Sequence, residues 1–206
     1  MSQDRRQHWD EVYRQKPADK VSWFQSEPAR SLALITAAGI GPDDPIVDVG
    51  GGASLLVDRL LDRGFRHLTV IDIAQTGLAV AQARLGPRQA RVTWLVQDVT
   101  SWQPPAESFA LWHDRAVFHF LVDEGDRQGY RRALDRGLKR GGFAIFASFA
   151  LTSPEKCSGL PVQRYSAETL QAALGPAYRL LDHQIEHHVT PAGGSQDFLW
   201  CLFGKG

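Results

Sequence analysis

Three carboxylates recur through the first half of the chain at spacings that could hold a charged, sugar-bearing small molecule. Asp48 ends an apolar run, PIVDV, and is followed by Gly50, Gly51 and Gly52, with Ser54 just beyond. Glycines there let the backbone turn tightly and approach a ligand, while a following helix would offer free N–H groups. A dinucleotide fingerprint opens on glycine and needs a nearly neutral cradle for pyrophosphate. An acid in that place suits a ligand carrying an ammonium instead. Asp72-Ile73 stands 24 residues further on, where a carboxylate can accept two sugar hydroxyls. Asp98-Val99 could accept from an exocyclic amine and pack an apolar side chain on a ring.

A second group of residues has the means to act on a substrate. His113, Asp114, Arg115 and His119 fall in one short segment, HDRAVFHF. Either histidine could serve as a base, because imidazole titrates near neutrality. Arg115 could stabilise a thiolate or another soft anion, and Asp114 could aim an ammonium. Trp9, Tyr13, Trp23 and Phe24 are large aromatics in an otherwise polar N-terminal stretch. A long segment at 151–166 carries Cys157, Arg164 and Tyr165, and its length is that of a substrate lid.

These residues need elements to position them. Apolar runs at 45–52, 67–73, 91–99, 109–112 and 143–150 alternate with helix-like segments at 54–64, 76–86 and 126–142. That alternation indicates a parallel sheet covered by helices on both faces. Beyond residue 150 the pattern becomes a polar loop, a short helix at 167–175, and two strands at 178–190 and 197–204 around a Pro-Gly-Gly turn. The expected fold is therefore α/β: a Rossmann-like, mostly parallel sheet of seven strands, closed by an antiparallel C-terminal hairpin.

With Asp48/Gly50/Gly52, Asp72 and Asp98 in this order and spacing, the chain resembles the class I S-adenosylmethionine (SAM)-dependent methyltransferases. The resemblance covers residues 30–150 by motif and nearly the whole chain by strand plan. It implies that SAM is the cofactor and that Asp48, Gly50, Gly52, Asp72, Ile73, Asp98, Val99 and His113 line its site. It also implies that a helix bearing the Trp9…Tyr13 pattern closes over the cofactor. Tyr13 would then meet the methionine carboxylate and Trp23 would wall the sulfonium by cation–π contact. Ser54 departs from the family, many members of which carry a third glycine there. Asp114-Arg115-Ala116 is similar both to thiopurine-type thiol methyltransferases and to small protein-lysine methyltransferases. Trp9, Phe24, Cys157, Arg164 and Tyr165 are the expected acceptor contacts, and Asp114, Arg115 and His119 the expected catalytic groups.

Bulk properties narrow the partners. The 206 residues are expected to form one domain, with 1–30 covering the cofactor. Lys plus Arg balance Asp plus Glu at 23 each, which removes the electrostatic case for nucleic acid or an anionic membrane. The Asn/Asp-Pro-Pro-aromatic signature of base amino-group methylation is missing. The expected acceptor is a small molecule (a thiol or other soft nucleophile, or a carboxylate), with a protein lysine as the alternative. An NAD(P)-dependent oxidoreductase and a non-catalytic SAM-binding protein are the further readings. Two cysteines without a CxxC pair, and the lack of an apolar leader, fit a cytoplasmic protein with no metal centre. His187 and His188 would face opposite sides of a strand, which argues against a histidine metal site.

Overall fold

The computed structural model describes residues 2–206. In chain order the elements are α1 (Ser2–Gln15), α2 (Ala29–Ala37), β1 (Ile46–Val49), α3 (Leu56–Asp62), β2 (Leu68–Asp72), α4 (Gln75–Leu85), β3 (Val92–Val96) and β4 (Phe109–Arg115). They continue with α5 (Glu124–Gly137), β5 (Leu138–Phe149), β6 (Lys156–Cys157), β7 (Leu160–Pro161), α6 (Ala167–Leu174), β8 (Tyr178–Val189) and β9 (Ser195–Lys205).

Seven strands form one sheet in the order β3-β2-β1-β4-β5-β9-β8. Strands β1 to β5 are parallel to their neighbours, and β9 pairs antiparallel with both β5 and β8. This is the seven-stranded, mostly parallel sheet with an antiparallel C-terminal hairpin that the sequence pattern indicates.

The parallel strands are buried on both faces, so they read as apolar runs rather than strict alternations. Their pleat still sorts side chains by parity. Ile46 and Leu111 join a core with Leu32, Leu56 and Leu60 of α2 and α3. Val47 and Trp112 join the opposite core with Tyr130 and Leu134 of α5 and Leu170 of α6. Asp48, His113 and Arg115 therefore project to the α2/α3 side, and Asp114 to the α5 side.

Strand order places a topological switch between β1 and β4. The chain winds outward from β1 to β3, then crosses back to lay β4 on the other side of β1. Ligands of open α/β sheets bind in the crevice outside the carboxyl ends at such a point.

Three local features depart from the sequence pattern. The helix expected to run to Gly141-Gly142 stops at Gly137, and Leu138 already starts β5. A Cβ on Gly137 would press to 2.9 Å of Pro104, and Leu138 is fully buried, so packing on both sides ends the helix early. The long segment after β5 contains the small β6–β7 hairpin. Helix α2, which has no clear start signal beyond Pro28, emerges only in the structure.

Candidate active-site cleft

A cleft of about 830 Å3, its open mouth included, lies at the switch point. Its floor is the carboxyl ends of β1, β2 and β4 together with the turn after β3, and α1 and the following Trp23 form its roof.

Asp48 sits beneath the glycine turn, 5% exposed. The register pairs Asp48 of β1 with His113 of β4. Imidazole Nδ1 lies 2.7 Å from Asp48 Oδ1, and Nε2 lies 3.0 Å from Ser31 Oγ of α2. A carboxylate only accepts, so Nδ1–H donates to Asp48. His113 thus backs Asp48 from the α2 side and does not line the cleft.

The glycine turn is shaped by what packs on it. Gly50 has φ +67°, and a Cβ there would collide with a Val117 methyl group. Gly52 has φ +42°, and a Cβ there would collide with the Tyr13 hydroxyl while lying 3.0 Å from Asp72 Oδ2. Helix α1 is thereby brought onto the turn. Its Asp10 accepts from the N–H of Thr76 at 3.0 Å and from the Thr76 hydroxyl at 2.7 Å, at the start of α4. Burial holds the Tyr13 hydroxyl protonated well above its ordinary range, and the Asp72 charge adds to this.

Asp72 ends β2 and is 7% exposed. Its Oδ1 accepts from the Ala74 N–H at 2.7 Å. Burial pushes its carboxyl up to about 7, against the lowering effect of that bond. Ile73 lies beside it in the cleft wall.

Asp98 and Val99 also line the cleft. Asp98 Oδ1 accepts from the Thr100 N–H and hydroxyl, at 2.9 and 2.7 Å. Its Oδ2 meets Arg5 Nη2 of α1 at 3.1 Å, and the same guanidinium reaches Asp126 at 2.8 Å. Arg5 is a cleft residue that sequence reasoning missed. Its only signal was a position one helical turn before Trp9.

The far end of the cleft is an aromatic box. Trp9 stacks edge-on against Trp23 at 5.6 Å and Phe120 at 4.9 Å, and Tyr13 against Trp23 at 6.3 Å. Arg115 donates from Nη1 to the Trp23 carbonyl at 2.6 Å, with Cζ 4.8 Å from the Phe198 ring centroid. Burial lowers its guanidinium to about 10. Cys157, 5% exposed, closes this end, and burial raises its thiol. Phe198 comes from β9, about 80 residues from Arg115 in sequence, so no local motif could announce it.

The remaining expected site residues lie elsewhere, for reasons the fold makes plain. Asp114 points to the opposite face of β4, where its carboxylate accepts from Tyr130 Oη at 2.6 Å and from the N–H groups of Val117 and Phe118. It braces the turn that carries Val117 and is not part of the cleft wall; burial raises it to about 6. His119 is fully buried, and its Nδ1 accepts from the Phe149 N–H at 3.1 Å. Burial and the nearby Arg115 charge depress it to about 3, which leaves it neutral and a poor base. Phe24 lies on an outer surface near His188 and Val189. Arg164 braces the loop after β5, through the carbonyls of Leu151 and Ser153 and the Glu155 carboxylate. Tyr165 is buried against Phe118, ring centroids 5.7 Å apart. His188 meets the Ser22 carbonyl while His187 is exposed, and no cluster of metal-ligating side chains occurs among the described residues.

Comparison with known proteins agrees with this geometry. Residues 46–142 match the family model "Methyltransferase domain". The eEF1A lysine and N-terminal methyltransferase of Danio rerio is 27% identical over 119 residues, 58% of this chain and 17% of that protein. The chain thus spans about a sixth of the length of the curated relatives it matches. Among solved structures, N-methyltransferase NodS from Bradyrhizobium japonicum WM9 with bound S-adenosylhomocysteine (SAH) superposes with TM-score 0.68 at 19% identity, covering 95% of this chain and 97% of that one. A SAM-dependent methyltransferase from Anabaena variabilis gives TM-score 0.71 at 14% identity, covering 100% and 95%. The chain thus matches a methyltransferase-domain model over residues 46–142 and has the Rossmann-like fold of solved SAM-dependent methyltransferases.

Proposed function

We propose that this chain binds SAM in the cleft and transfers its methyl group to a small acceptor held in the aromatic box. The observation that carries the proposal is the gathering of Asp72 and Asp98 in one cleft roofed by α1, with Asp48 buried directly beneath the glycine turn at the adjacent strand end. The residues fit the cofactor. Gly50 and Gly52 let Val117 and Tyr13 close onto the turn, Asp72 keeps acceptor capacity for ribose hydroxyls, and Val99 offers an apolar surface for adenine. Asp48 supplies the negative charge that a methionyl ammonium needs, and Trp23 with Tyr13 walls the sulfonium. When bound, SAM supplies an electrophilic methyl group on sulfur. The protein's own part is alignment and exclusion of water.

The name of the Danio rerio relative favours a second reading, methylation of protein lysines or N-termini. Against it, Asp114, the acid expected to aim an ammonium, is tied up on the far face of β4. Incubation with methyl-labelled SAM in cell extract separates the two. Label recovered in small molecules supports the first reading, and label recovered in polypeptide overturns it in favour of the second. Asp72→Ala is expected to abolish labelling while leaving the fold intact.

A further inference from the structure

The aromatic box contains a buried cation that forms no ion pair among the described residues. Arg115 Nε and Nη2 are both shut off from water and have no hydrogen-bond partner. Only Nη1 is satisfied, by the neutral Trp23 carbonyl. Among the described residues no carboxylate pairs with this guanidinium. Of the two acids whose charges act on it, Glu186 gives its oxygens to Trp200 Nε1 at 2.7 Å and Gln25 Nε2 at 3.3 Å, and Asp48 is bonded to His113.

A third orphan donor flanks the same ring. His119 Nδ1 is an acceptor, so its proton is on Nε2, which is also buried and without a partner. His119 lies 6.4 Å from Phe198, the ring that Arg115 covers. A buried donor without an acceptor loses its hydration with nothing in return, and the loss is greater when it is charged. Orphan donors converge here, and the cleft next to them is lined by Trp9, Trp23 and Phe120.

We infer that the methyl acceptor binds as an anion, its charged end seated on Arg115 and its flat apolar body between Trp9, Trp23 and Phe120. This rests on the methyltransferase reading and adds the acceptor's chemical class: an aromatic or similarly flat thiolate, phenolate or carboxylate. The chemistry then balances without a base. The anion's lone pair forms the new bond to the methyl carbon, the carbon–sulfur bond breaks with its electron pair left on sulfur, and no proton is released. That matches a box whose lining offers no histidine or free carboxylate beside the acceptor. Cys157 stays a neutral thiol there and does not compete for the cation. A protonated amine would meet Arg115 as a like charge and would find no group to take its proton.

The test uses SAH-loaded protein and calorimetric titration with four probes: benzoate, thiophenolate, benzamide and benzylamine. Benzoate and thiophenolate are expected to bind, with benzamide and benzylamine weaker by ~10- to 100-fold, the worth of a charge-assisted hydrogen bond. Arg115→Met should weaken the two anions by a similar factor without changing SAH affinity, and Arg115→Lys should recover part of the loss. Should Arg115→Met fail to fold, the anion-versus-amine comparison on the wild-type protein decides alone. Benzylamine binding as tightly as benzoate, or unchanged anion affinity in Arg115→Met, overturns the inference while the methyltransferase reading stands. Failure of the wild-type protein to take up SAH overturns both.

Discussion

Asp48 and His113, 65 residues apart, share a 2.7 Å hydrogen bond across two parallel strands, with Ser31 closing the imidazole's other side at 3.0 Å. The order Ser–His–Asp looks like a hydrolase triad, but all three are at most 5% exposed and none lines the cleft; Asp48 lies directly beneath the glycine turn. Here the chain of bonds fixes the carboxylate. His113 and Ser31 hold Asp48 in one orientation beneath the glycine turn, so His113 is a positioning residue. His113→Phe should weaken SAM binding about tenfold and destabilise the fold by roughly 1–3 kcal/mol, because Asp48 loses its buried partner. Titration with SAM alongside urea unfolding checks both; unchanged SAM affinity would remove His113 from the site.

Asp72 makes cofactor affinity depend on pH. Its carboxyl is raised to about 7 by burial, so below that pH it is largely protonated and its power to accept ribose hydroxyls is reduced. SAM affinity should therefore rise between pH 6 and pH 8 by several-fold, and Asp72→Asn should bind weakly at both. The effect on stability has the opposite sign. The folded chain holds this proton more tightly than the unfolded chain, so Asp72's contribution is full below about 4 and is lost as pH rises through about 7. Urea unfolding across that range should show a downward slope that Asp72→Asn flattens.

Gly52 and Tyr13 form a contact whose two partners can be tested together. Gly52→Ala puts a Cβ into the Tyr13 hydroxyl at a positive φ, which should displace α1 and cut SAM affinity by tenfold or more. Tyr13→Phe removes the colliding oxygen, so the double variant should lose less than the sum of the single losses. Additive losses would show that α1 does not seal the turn in solution.

His119 should be structural. Replacement by Leu leaves the Phe149 N–H unpaired, at a cost of about 1–3 kcal/mol. The pH dependence of turnover should keep its shape, because a ring depressed to about 3 is not titrating near neutrality. A limb near pH 6 or 7 that vanishes in His119→Leu would restore it as a base.

The first three strands were legible because each is an apolar run that closes at or just before the turn bearing Asp48, Asp72 or Asp98, where the chain leaves the sheet. That Gly50, Asp72, Ile73, Asp98 and Val99 share one cleft could be read for the same reason. The acceptor half could not, since it is assembled from α1, the turn after β4, Cys157 and β9, which meet only after folding. Parity explains why HDRAVFHF was divided as it was. Arg115 and Asp114 are adjacent in sequence but point to opposite faces of β4, so only Arg115 reaches the cleft. The end of α5 was missed because burial of Leu138 and the close fit of Gly137 against Pro104 overrode a helix-compatible sequence.

Calorimetric titration of the purified protein with SAM, SAH and NADH tests the central claim most directly. Micromolar binding of SAM and SAH, lost in Asp72→Ala, with no binding of NADH, is the predicted result. Binding of NADH without SAM would contradict the account and make the acidic glycine turn an unusual dinucleotide cradle.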